Sequence, residues 1–515
     1  MMERGGDRGW AETIRSWLHP RVVTMLFLGF SAGIPILLIF STLSAWLTEA
    51  GVNKSAVTFF SWAALGYSFK FVWAPLIDRM PLPYLTRRLG RRRAWMAVSQ
   101  LCVMAAIGLM ALVDPAISQP ALTTMAWAAV LLGFSSATQD IVIDAYRIEC
   151  AEQELQAMLS ASYIAGYRIG MLVAGAGSLA LAGYLGTSVE HYSYSAWRMT
   201  YVGVALCMIA GLATTLAIPE PDPPGREKAQ AYAAIDYGRF FMLFLGAASV
   251  FVLVFFYGGA LSGGAKHALQ ETFGPYGPVA SFLVEALRLF AALAAALGAA
   301  RLLVVMGLVN REMLSDTYIE PVKDFFSRYG LKLSLLLLLL IGFYRVSDIV
   351  LGVISTVFYL DLGFSKTQIA AIVKTFGLLM TIAGGFLGGM LTVRYGVIRI
   401  LFIGGVLAAA TNILFMTLAS AGPSLAMLKL VVAADNLAAG LASAAFVAFL
   451  SSLTSISFTA VQYAVFSSLM SLFPKLIGGY SGSIATSIGY PGFFMLTALM
   501  GVPVLVLIWM VRDVK

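Results

Sequence analysis

Two aspartates and an arginine on one apolar stretch are the first residues of this sequence that could do chemistry. Asp140, Asp144 and Arg147 stand at i, i+4 and i+7, so they share one face of a helix. Neighbouring carboxylates raise each other's proton affinity, as removal from water also does, which suits a proton carrier. The same spacing suits a salt-bridge network that gates without carrying protons. Both interpretations stay open, with gating favoured for Asp144 and Arg147.

Further charged residues lie inside apolar runs of the second half, where each costs about 2.5–3.5 kcal/mol at the centre of a membrane helix. Arg345 and Asp348 are spaced i, i+3 and could neutralise each other. Asp435 has only Lys429 as a charged neighbour within two turns of its own helix. Such an acid must pair with a basic residue, face a water-filled cavity or be protonated. We therefore expect Asp348 and Asp435 to couple protons or to contact substrate.

Basic and polar side chains inside the apolar runs are candidates for substrate binding. Arg168 could pair with Asp140 or bind an anionic substrate, and Lys70 could do the same or extend to the cytoplasmic surface. Tyr67 could stack on a sugar, although anchoring at the membrane interface is the commoner role of such aromatic residues. The full set of substrate-binding candidates is Lys374, Arg168, Gln462, Asn436, Tyr67, Lys70 and Arg345.

No motif for ATP, metal or covalent catalysis accompanies these residues. The sequence has no G-x-x-x-x-G-K-[ST] segment and no H-E-x-x-H segment, and its three cysteines and three histidines are scattered. We therefore expect no catalytic residues, no cofactor and no metal site. A membrane enzyme or sensor is the alternative. It would need a catalytic cluster at one membrane face, and the sequence has no candidate for such a cluster beyond the pair Asp140 and Asp144.

The surrounding composition is that of a membrane protein. Hydrophobic residues make up 60% of the 515 residues, charged residues only 12%, and the mean hydropathy is +0.86. A soluble domain cannot bury so much apolar surface, which excludes a soluble enzyme. The formal charge of +8 lies mainly in short segments between apolar runs, where it sets orientation. Nucleic acid is therefore not an expected partner.

Fourteen apolar runs predict fourteen transmembrane helices, grouped as six, two and six. The predicted spans are about 22–47, 56–77, 94–113, 123–146, 159–185, 198–218, 238–262, 279–308, 333–360, 367–391, 398–419, 424–451, 458–484 and 489–511. Polar segments at 219–226 and 321–326 separate the groups. This predicts an all-α polytopic membrane protein with a six-helix bundle in 1–218, linkers with two inserted transmembrane helices in 219–330, and a second six-helix bundle in 331–515.

Lys and Arg in the loops predict the orientation. The segment after the second span carries Arg79, Arg87, Arg88, Arg91, Arg92 and Arg93, and span parity places it in the cytoplasm together with both termini. Two six-helix halves of like orientation joined by a cytoplasmic linker are the organisation of major facilitator proteins, which rock around a midplane site. We expect the cytoplasmic gate to consist of Asp78, Arg79, Arg147 and Arg394.

Several stretches, most of which contain a charged residue, together resemble one family. They are Phe69–Arg79, Gln139–Asp144, Gly166–Leu172, Tyr344–Asp348, Lys374–Leu379, Asp435–Leu437 and Phe458–Tyr463. In these the sequence resembles the bacterial muropeptide permeases of the AmpG type, within the major facilitator superfamily. The resemblance covers both six-helix halves and misses the N-terminus and about 220–315. Val393 departs from it, standing where the second-half gate has an acid.

The resemblance implies proton-driven import of N-acetylglucosaminyl-1,6-anhydro-N-acetylmuramic acid, with or without peptide, from periplasm to cytoplasm. That activity serves peptidoglycan recycling and, indirectly, β-lactamase induction and β-lactam resistance. It implies a multi-pass protein of the bacterial inner membrane whose partners are lipids, protons and the glycopeptide, and we expect a monomer. In our hypothesis Asp348 or Asp435 binds the coupling proton while Lys374, Arg168 and Gln462 contact substrate. Related branches are similar to siderophore-associated and acetyl-CoA transporters, which leaves another organic substrate as the alternative.

Overall fold

The computed structural model describes residues 16–52, 67, 69–188, 190–222, 232–273, 277–365, 368–478 and 481–512. Their regular structure is helical throughout, and thirteen stretches are long and apolar enough to cross a membrane. These thirteen match thirteen of the predicted spans. The remaining span, about 56–77, falls largely on 53–66, outside the described residues. The prediction of an all-α polytopic membrane protein is confirmed.

The helices of the N-terminal half run from residue 20 to residue 217. They are α1 (Pro20–Ile39), α2 (Ser41–Glu49), α3 (Ala74–Arg79), α4 (Arg91–Ala111), α5 (Gln119–Glu149), α6 (Gln156–Leu172), α7 (Ser178–Tyr184), α8 (Tyr194–Cys207) and α9 (Ile209–Ala217). A π-helical segment, Val173–Gly177, joins α6 to α7. Such bulges are frequent beside functional residues, and this one follows the stretch that contains Arg168.

Glycines bring α1 and α6 into direct backbone contact. A Cβ on Gly166 or Gly170 would collide with the carbonyl oxygen of Leu26 or Phe30, and one on Gly29 would collide with that of Tyr163. Small residues four apart allow membrane helices to approach this closely. The Gly166 and Gly170 face of α6 is therefore fixed against α1.

Two inserted helices, α10 (Ala234–Phe273) and α11 (Gly277–Val305), pack against each other. Residues 78–80 and 227–324 form a compact unit of their own. The Arg288 guanidinium lies 4.0 Å from the centre of the Phe255 ring, a cation–π contact. The predicted division of the chain at 218 and 330 remains a prediction.

The helices of the C-terminal half follow from residue 320 to residue 510. They are α12 (Glu320–Phe343), α13 (Val346–Asp361), α14 (Gly377–Tyr395), α15 (Val397–Ala421), α16 (Leu425–Leu453), α17 (Thr459–Gly478) and α18 (Ser481–Met510). α12 and α18 are kinked at Gly330 and Gly489, both of which have positive φ. The chain also breaks between α12 and α13, where Arg345 has φ −100° and ψ 10°.

Candidate functional site

The Asp144 carboxylate lies between two cations of the N-terminal half. Its Oδ2 is 3.7 Å from Lys70 Nζ, and its Oδ1 is 3.4 Å from Arg147 Nη2. Lys70 is buried, so it does not extend to the surface as one interpretation of the sequence had it. The shared helix face that the sequence predicted for Asp144 and Arg147 thus becomes an ion-pair network inside the bundle.

Asp140, one turn earlier on α5, is buried beside this network. It feels the charges of Lys70 and Asp144 and lies near the Tyr163 side chain, while its Oδ1 has no hydrogen-bond partner among the described residues. Tyr67 lies nearby, although its hydroxyl donates to Ser136 Oγ at 2.6 Å rather than to the carboxylate. A buried carboxyl with a free oxygen and one shared cation is suited to taking up a proton.

Arg147 is completely buried and joins the two halves of the molecule. Its Nη1 donates to Ser160 Oγ at 3.0 Å within its own half and to Ser451 Oγ at 2.8 Å on α16 of the other half. Its guanidinium also lies 5.0 Å from the centre of the Tyr463 ring on α17. One side chain therefore holds α5 to two helices of the C-terminal half.

Further contacts between the halves lie near Arg147, at the end of the bundle where α5 and α16 end; we call it the Arg147 end. The edge of the Trp17 indole packs on Phe386, with ring centres 4.6 Å apart. Gly389 on α14 approaches α6 so closely that a Cβ would lie 3.0 Å from the Cβ of Ala161 and 3.2 Å from the Ala157 carbonyl oxygen. The halves are thus held together at the Arg147 end.

The other gate candidates have different surroundings. Arg79 donates to the Asp316 carbonyl oxygen at 3.3 Å, and Asp78 is buried; both belong to the compact unit of the inserted helices. Arg394 lies 5.6 Å from the centre of the ring of its neighbour Tyr395. Of the four predicted gate residues, Arg147 contacts both halves, through Ser160 on one side and Ser451 on the other.

The C-terminal half contains its own pair of deep carboxyl groups. Asp348 on α13 and Asp435 on α16 lie close enough to repel each other, and Thr411 donates to Asp435 Oδ1 at 3.3 Å. Arg345 attracts Asp348, yet no ion pair joins them, and no described basic side chain pairs with Asp435. Both acids keep part of their surface accessible to solvent. The local neutralisation of Asp348 by Arg345 that the spacing allowed is therefore incomplete.

Three of the predicted substrate residues lie on different helical segments and have different surroundings. Gln462 Oε1 accepts from Arg328 Nη2 at 2.9 Å and from the Ser455 N–H at 2.7 Å, at the start of α17. Asn436 accepts from Thr381 Oγ1 at 2.9 Å and donates to the carbonyl of its own preceding turn. Lys374 is exposed in the π-helical segment Ile369–Phe376.

Arg168 and Arg345 belong to opposite halves, and the charge of Arg345 acts on Arg168. The sequence allowed an ion pair between Arg168 and Asp140, but the described residues show none. The nearest acceptor that Arg168 reaches is the Met171 sulfur at 3.9 Å. Ser451, Tyr163 and Tyr463 were missed as candidates from the sequence. Tyr463 stands in a stretch that carried the family resemblance, whereas Ser451 has no local signal.

Comparisons with known proteins agree with this architecture. The family model for acetyl-coenzyme A transporter 1 matches residues 21–192. AmpG 4 of Rickettsia conorii is 28% identical over 485 residues, 94% of this chain and 95% of the relative. The anhydromuropeptide permease of Escherichia coli K12 is 28% identical over 504 residues, 98% of this chain and 82% of the relative.

Solved structures identify the fold. The proton:xylose symporter XylE aligns with a TM-score of 0.56 at 12% identity, covering 98% of this chain and 96% of that one. The fucose:proton symporter FucP aligns with a TM-score of 0.57 at 10% identity, covering 96% and 99%. The chain has the major facilitator fold, and its resemblance to the AmpG-type muropeptide permeases is confirmed. It is a multi-pass membrane protein of transporter architecture.

Proposed function

Because the chain resembles the AmpG-type muropeptide permeases over almost its whole length, we propose that it imports anhydromuropeptides by proton symport. The substrate is N-acetylglucosaminyl-1,6-anhydro-N-acetylmuramic acid, with or without its peptide. The membrane is the bacterial inner membrane, and the two halves alternate between access from the periplasm and access from the cytoplasm. The monomer is the transporting unit.

The observation that carries this proposal is the deep pair of carboxyl groups, Asp348 and Asp435. Charged groups at such depth are costly and mark ion pathways or proton relays. Two acids that repel each other, with no ion pair among the described residues, favour sharing of one proton between them. Their partial solvent access supports a route by which the proton reaches them. We assign the coupling proton to this pair, with Asp140 as the corresponding acid of the other half.

The orientation follows the distribution of positive charge. The Arg147 end carries the basic segment that begins α4, and positive loops face the cytoplasm. Contacts between the halves at this end then correspond to a conformation closed toward the cytoplasm. Opening toward the cytoplasm requires Arg147 to leave Ser451 and Tyr463, and Asp144 can hold it within its own half as it does so.

Substrate contact is assigned to Arg168 and Arg345 rather than to the whole predicted set. Gln462 and Asn436 already form hydrogen bonds with other residues of the protein, and Lys374 is exposed. A guanidinium presents paired donors that match a carboxylate, and the anhydromuropeptide offers carboxylates on its lactyl or peptide part. We then expect polar and aromatic side chains such as Tyr67 to contact the sugar rings.

A second substrate class has one specific observation in its favour. The family model for an acetyl-coenzyme A transporter matches residues 21–192, most of the N-terminal half. An acyl-CoA-like molecule is also anionic and would use the same arginines. Competition separates the two: acetyl-CoA in excess would reduce uptake of labelled anhydromuropeptide only if it enters the same site.

The proposal is tested with purified protein in proteoliposomes. Labelled anhydromuropeptide should accumulate against its gradient when the outer pH is lower than the inner pH, and accumulation should cease when a protonophore is added. Asp435→Asn cannot release a proton, so it should lose gradient-driven accumulation while it retains exchange of labelled for unlabelled substrate at equal pH. Asp361→Asn, an acid at the far end of α13, is the matched control.

Two outcomes would count against the proposal. If accumulation did not change with the pH gradient, transport would not be coupled to protons. If Asp435→Asn and Asp348→Asn both retained accumulation, this pair of acids would not be the site of proton coupling. Absence of muropeptide uptake under every gradient, with uptake of acetyl-CoA instead, would replace the substrate assignment by the second class.

A further inference from the structure

Small residues set the register between α15 and α18, which pack against each other. A Cβ on Gly405 would lie 3.1 Å from Leu505 Cδ2, and a Cβ on Gly501 would lie 3.2 Å from the Ala409 Cβ. The contact thus moves back along α18 as it advances by the same number of residues along α15. The two helices are therefore antiparallel, and the beginning of α15 lies beside the end of α18.

Two arginines lie at about the same level of this helix pair. Arg399 stands six residues before Gly405, and Arg512 stands seven residues after Leu505, so the antiparallel register brings them to the same end. Because α15 follows α14 after a single residue, Gly396, its first turn lies at the Arg147 end. Both arginines are exposed there.

A groove of about 390 Å³ lies between α15 and α18 at this end and is lined by both arginines. The Arg512 guanidinium lies 4.7 Å from the centre of the Trp509 ring, a cation–π contact that holds it on the groove wall. The other lining residues are apolar: Ile398, Phe402, Ile403, Ile508 and Trp509. The groove thus combines an apolar wall with two positive charges.

The groove lies on the outer face of α15. Leu401 and Gly404 are buried on the face of α15 that packs into the C-terminal half. Phe402 and Ile403, which helical periodicity places on the opposite face, are 40% and 45% exposed. The medium that surrounds the outer face of a membrane-spanning helix consists of lipid acyl chains. An acyl chain is therefore the molecule that the apolar wall meets.

The two arginines select among lipid headgroups. A single arginine near the end of a membrane helix commonly extends to the interface without binding one particular lipid. Here two guanidinium groups line one groove, and each can donate paired N–H groups to phosphate oxygens. The phosphate of a zwitterionic lipid carries a cation on the same headgroup, whereas that of phosphatidylglycerol does not. Basic sites between transmembrane helices at the cytoplasmic surface bind anionic headgroups.

We propose that this groove binds one anionic glycerophospholipid, with its phosphate between Arg399 and Arg512 and an acyl chain along the apolar wall. The ligand has to carry both parts, because the groove presents both an apolar wall and positive charge. The site lies apart from the transport pathway and adds a ligand to the proposed function. Only its assignment to the cytoplasmic leaflet rests on the orientation given above.

The test compares two lipids that differ in headgroup charge and have the same acyl chains. Dioleoyl-phosphatidylglycerol and dioleoyl-phosphatidylcholine are titrated into the full chain in detergent micelles, and bound lipid is counted by native mass spectrometry. One basic side chain near an anionic lipid contributes about fivefold in affinity, so two should give phosphatidylglycerol an advantage of about thirtyfold. A large excess of inorganic phosphate should not displace it, because phosphate has no acyl chain.

Variants then assign the preference to the groove. Arg399→Gln and Arg512→Gln should each weaken binding of phosphatidylglycerol about fivefold, and the double variant should bind both lipids equally. Arg399→Lys keeps the charge without the planar fork and should retain part of the preference. Arg87→Gln, which removes an exposed positive charge from the short helix before α4, is the matched control and should leave the preference unchanged.

Three outcomes would overturn this inference. Equal affinity of the wild type for the two lipids would remove the selection by charge, and this comparison needs no variant. Displacement of phosphatidylglycerol by inorganic phosphate would leave a phosphate site without a lipid. Equal losses in Arg87→Gln and in the Arg399 and Arg512 variants would indicate attraction to the general surface charge. Each readout is lipid binding, so none of these outcomes bears on uptake of anhydromuropeptide.

Discussion

The contact of Arg147 with Ser451 and Tyr463 yields a prediction about how firmly the Arg147 end is closed. We propose to weaken it from the C-terminal side with the double substitution Ser451→Ala and Tyr463→Leu. Arg147 itself is left in place because it is completely buried among polar partners, and its removal would risk the fold. The variant thus changes only what Arg147 meets on the other half.

The magnitude follows from the geometry of the two contacts. The hydrogen bond from Arg147 Nη1 to Ser451 Oγ is 2.8 Å long and has a charged donor. We take its contribution as about 1.5 kcal/mol, the lower limit for charged groups, because Nη1 still has Ser160 Oγ as an acceptor at 3.0 Å when Ser451 is removed. The cation–π contact, 5.0 Å from the ring centre and away from water, contributes about 1 to 2 kcal/mol. Together they amount to about 3 kcal/mol, which is about a hundredfold in the equilibrium between closed and open forms.

The assay is a distance measurement by pulsed electron resonance between spin labels at this end. Leu85, in the short helix before α4, and Tyr395, at the end of α14, are both exposed and belong to opposite halves. We expect the double variant to move the distance distribution toward longer values, because the open form becomes populated.

Two matched controls accompany this experiment. Ser452→Ala removes a neighbouring hydroxyl that donates only within its own helix, to the Phe449 carbonyl oxygen. Tyr463→Phe keeps the aromatic ring under the guanidinium. Both should preserve the wild-type distribution. If the folded double variant had the wild-type distribution as well, the role of Arg147 in holding this end closed would be refuted.

Two further predictions concern stability. Gly166→Ala should lower the unfolding temperature or prevent folding, because its methyl would collide with the Leu26 carbonyl oxygen; Gly108→Ala, where a Cβ meets nothing within 4 Å, is the control and should be neutral or stabilising. Glu220 accepts two backbone N–H groups at the start of α4 (2.7 and 3.0 Å), and burial raises the pKa of its carboxyl above the ordinary 4.5. The folded state then holds this proton more tightly than the unfolded state, so the stability contributed by Glu220 is greatest at low pH and decreases as the pH rises through the folded pKa. Glu220→Gln should flatten that dependence in unfolding scans above pH 4.5, and an unchanged slope would contradict the assignment.

Local patterns in the sequence determined the class of protein and the resemblance, and they predicted where the spans lie. A transmembrane helix can be recognised from one continuous stretch of sequence, because the hydrocarbon core of a bilayer requires about 20 apolar residues in a row. Thirteen of the predicted spans were found in the described residues. The shared face of Asp144 and Arg147 was also predictable, since helical periodicity fixes which side chains three or four residues apart meet.

Tertiary structure alone decided which charges meet across the molecule. Arg147 and Ser451 are separated by 304 residues, and no periodicity relates them. Arg168 had Asp140 or an anionic substrate as plausible partners in the sequence, yet the glycines beside it turn it away from α1, and it forms no ion pair with Asp140 among the described residues. Gln462 has the composition of a substrate residue but lies at the start of α17 among protein partners. A residue type defines what a side chain can bind, whereas the packing of distant helices defines what is within its reach.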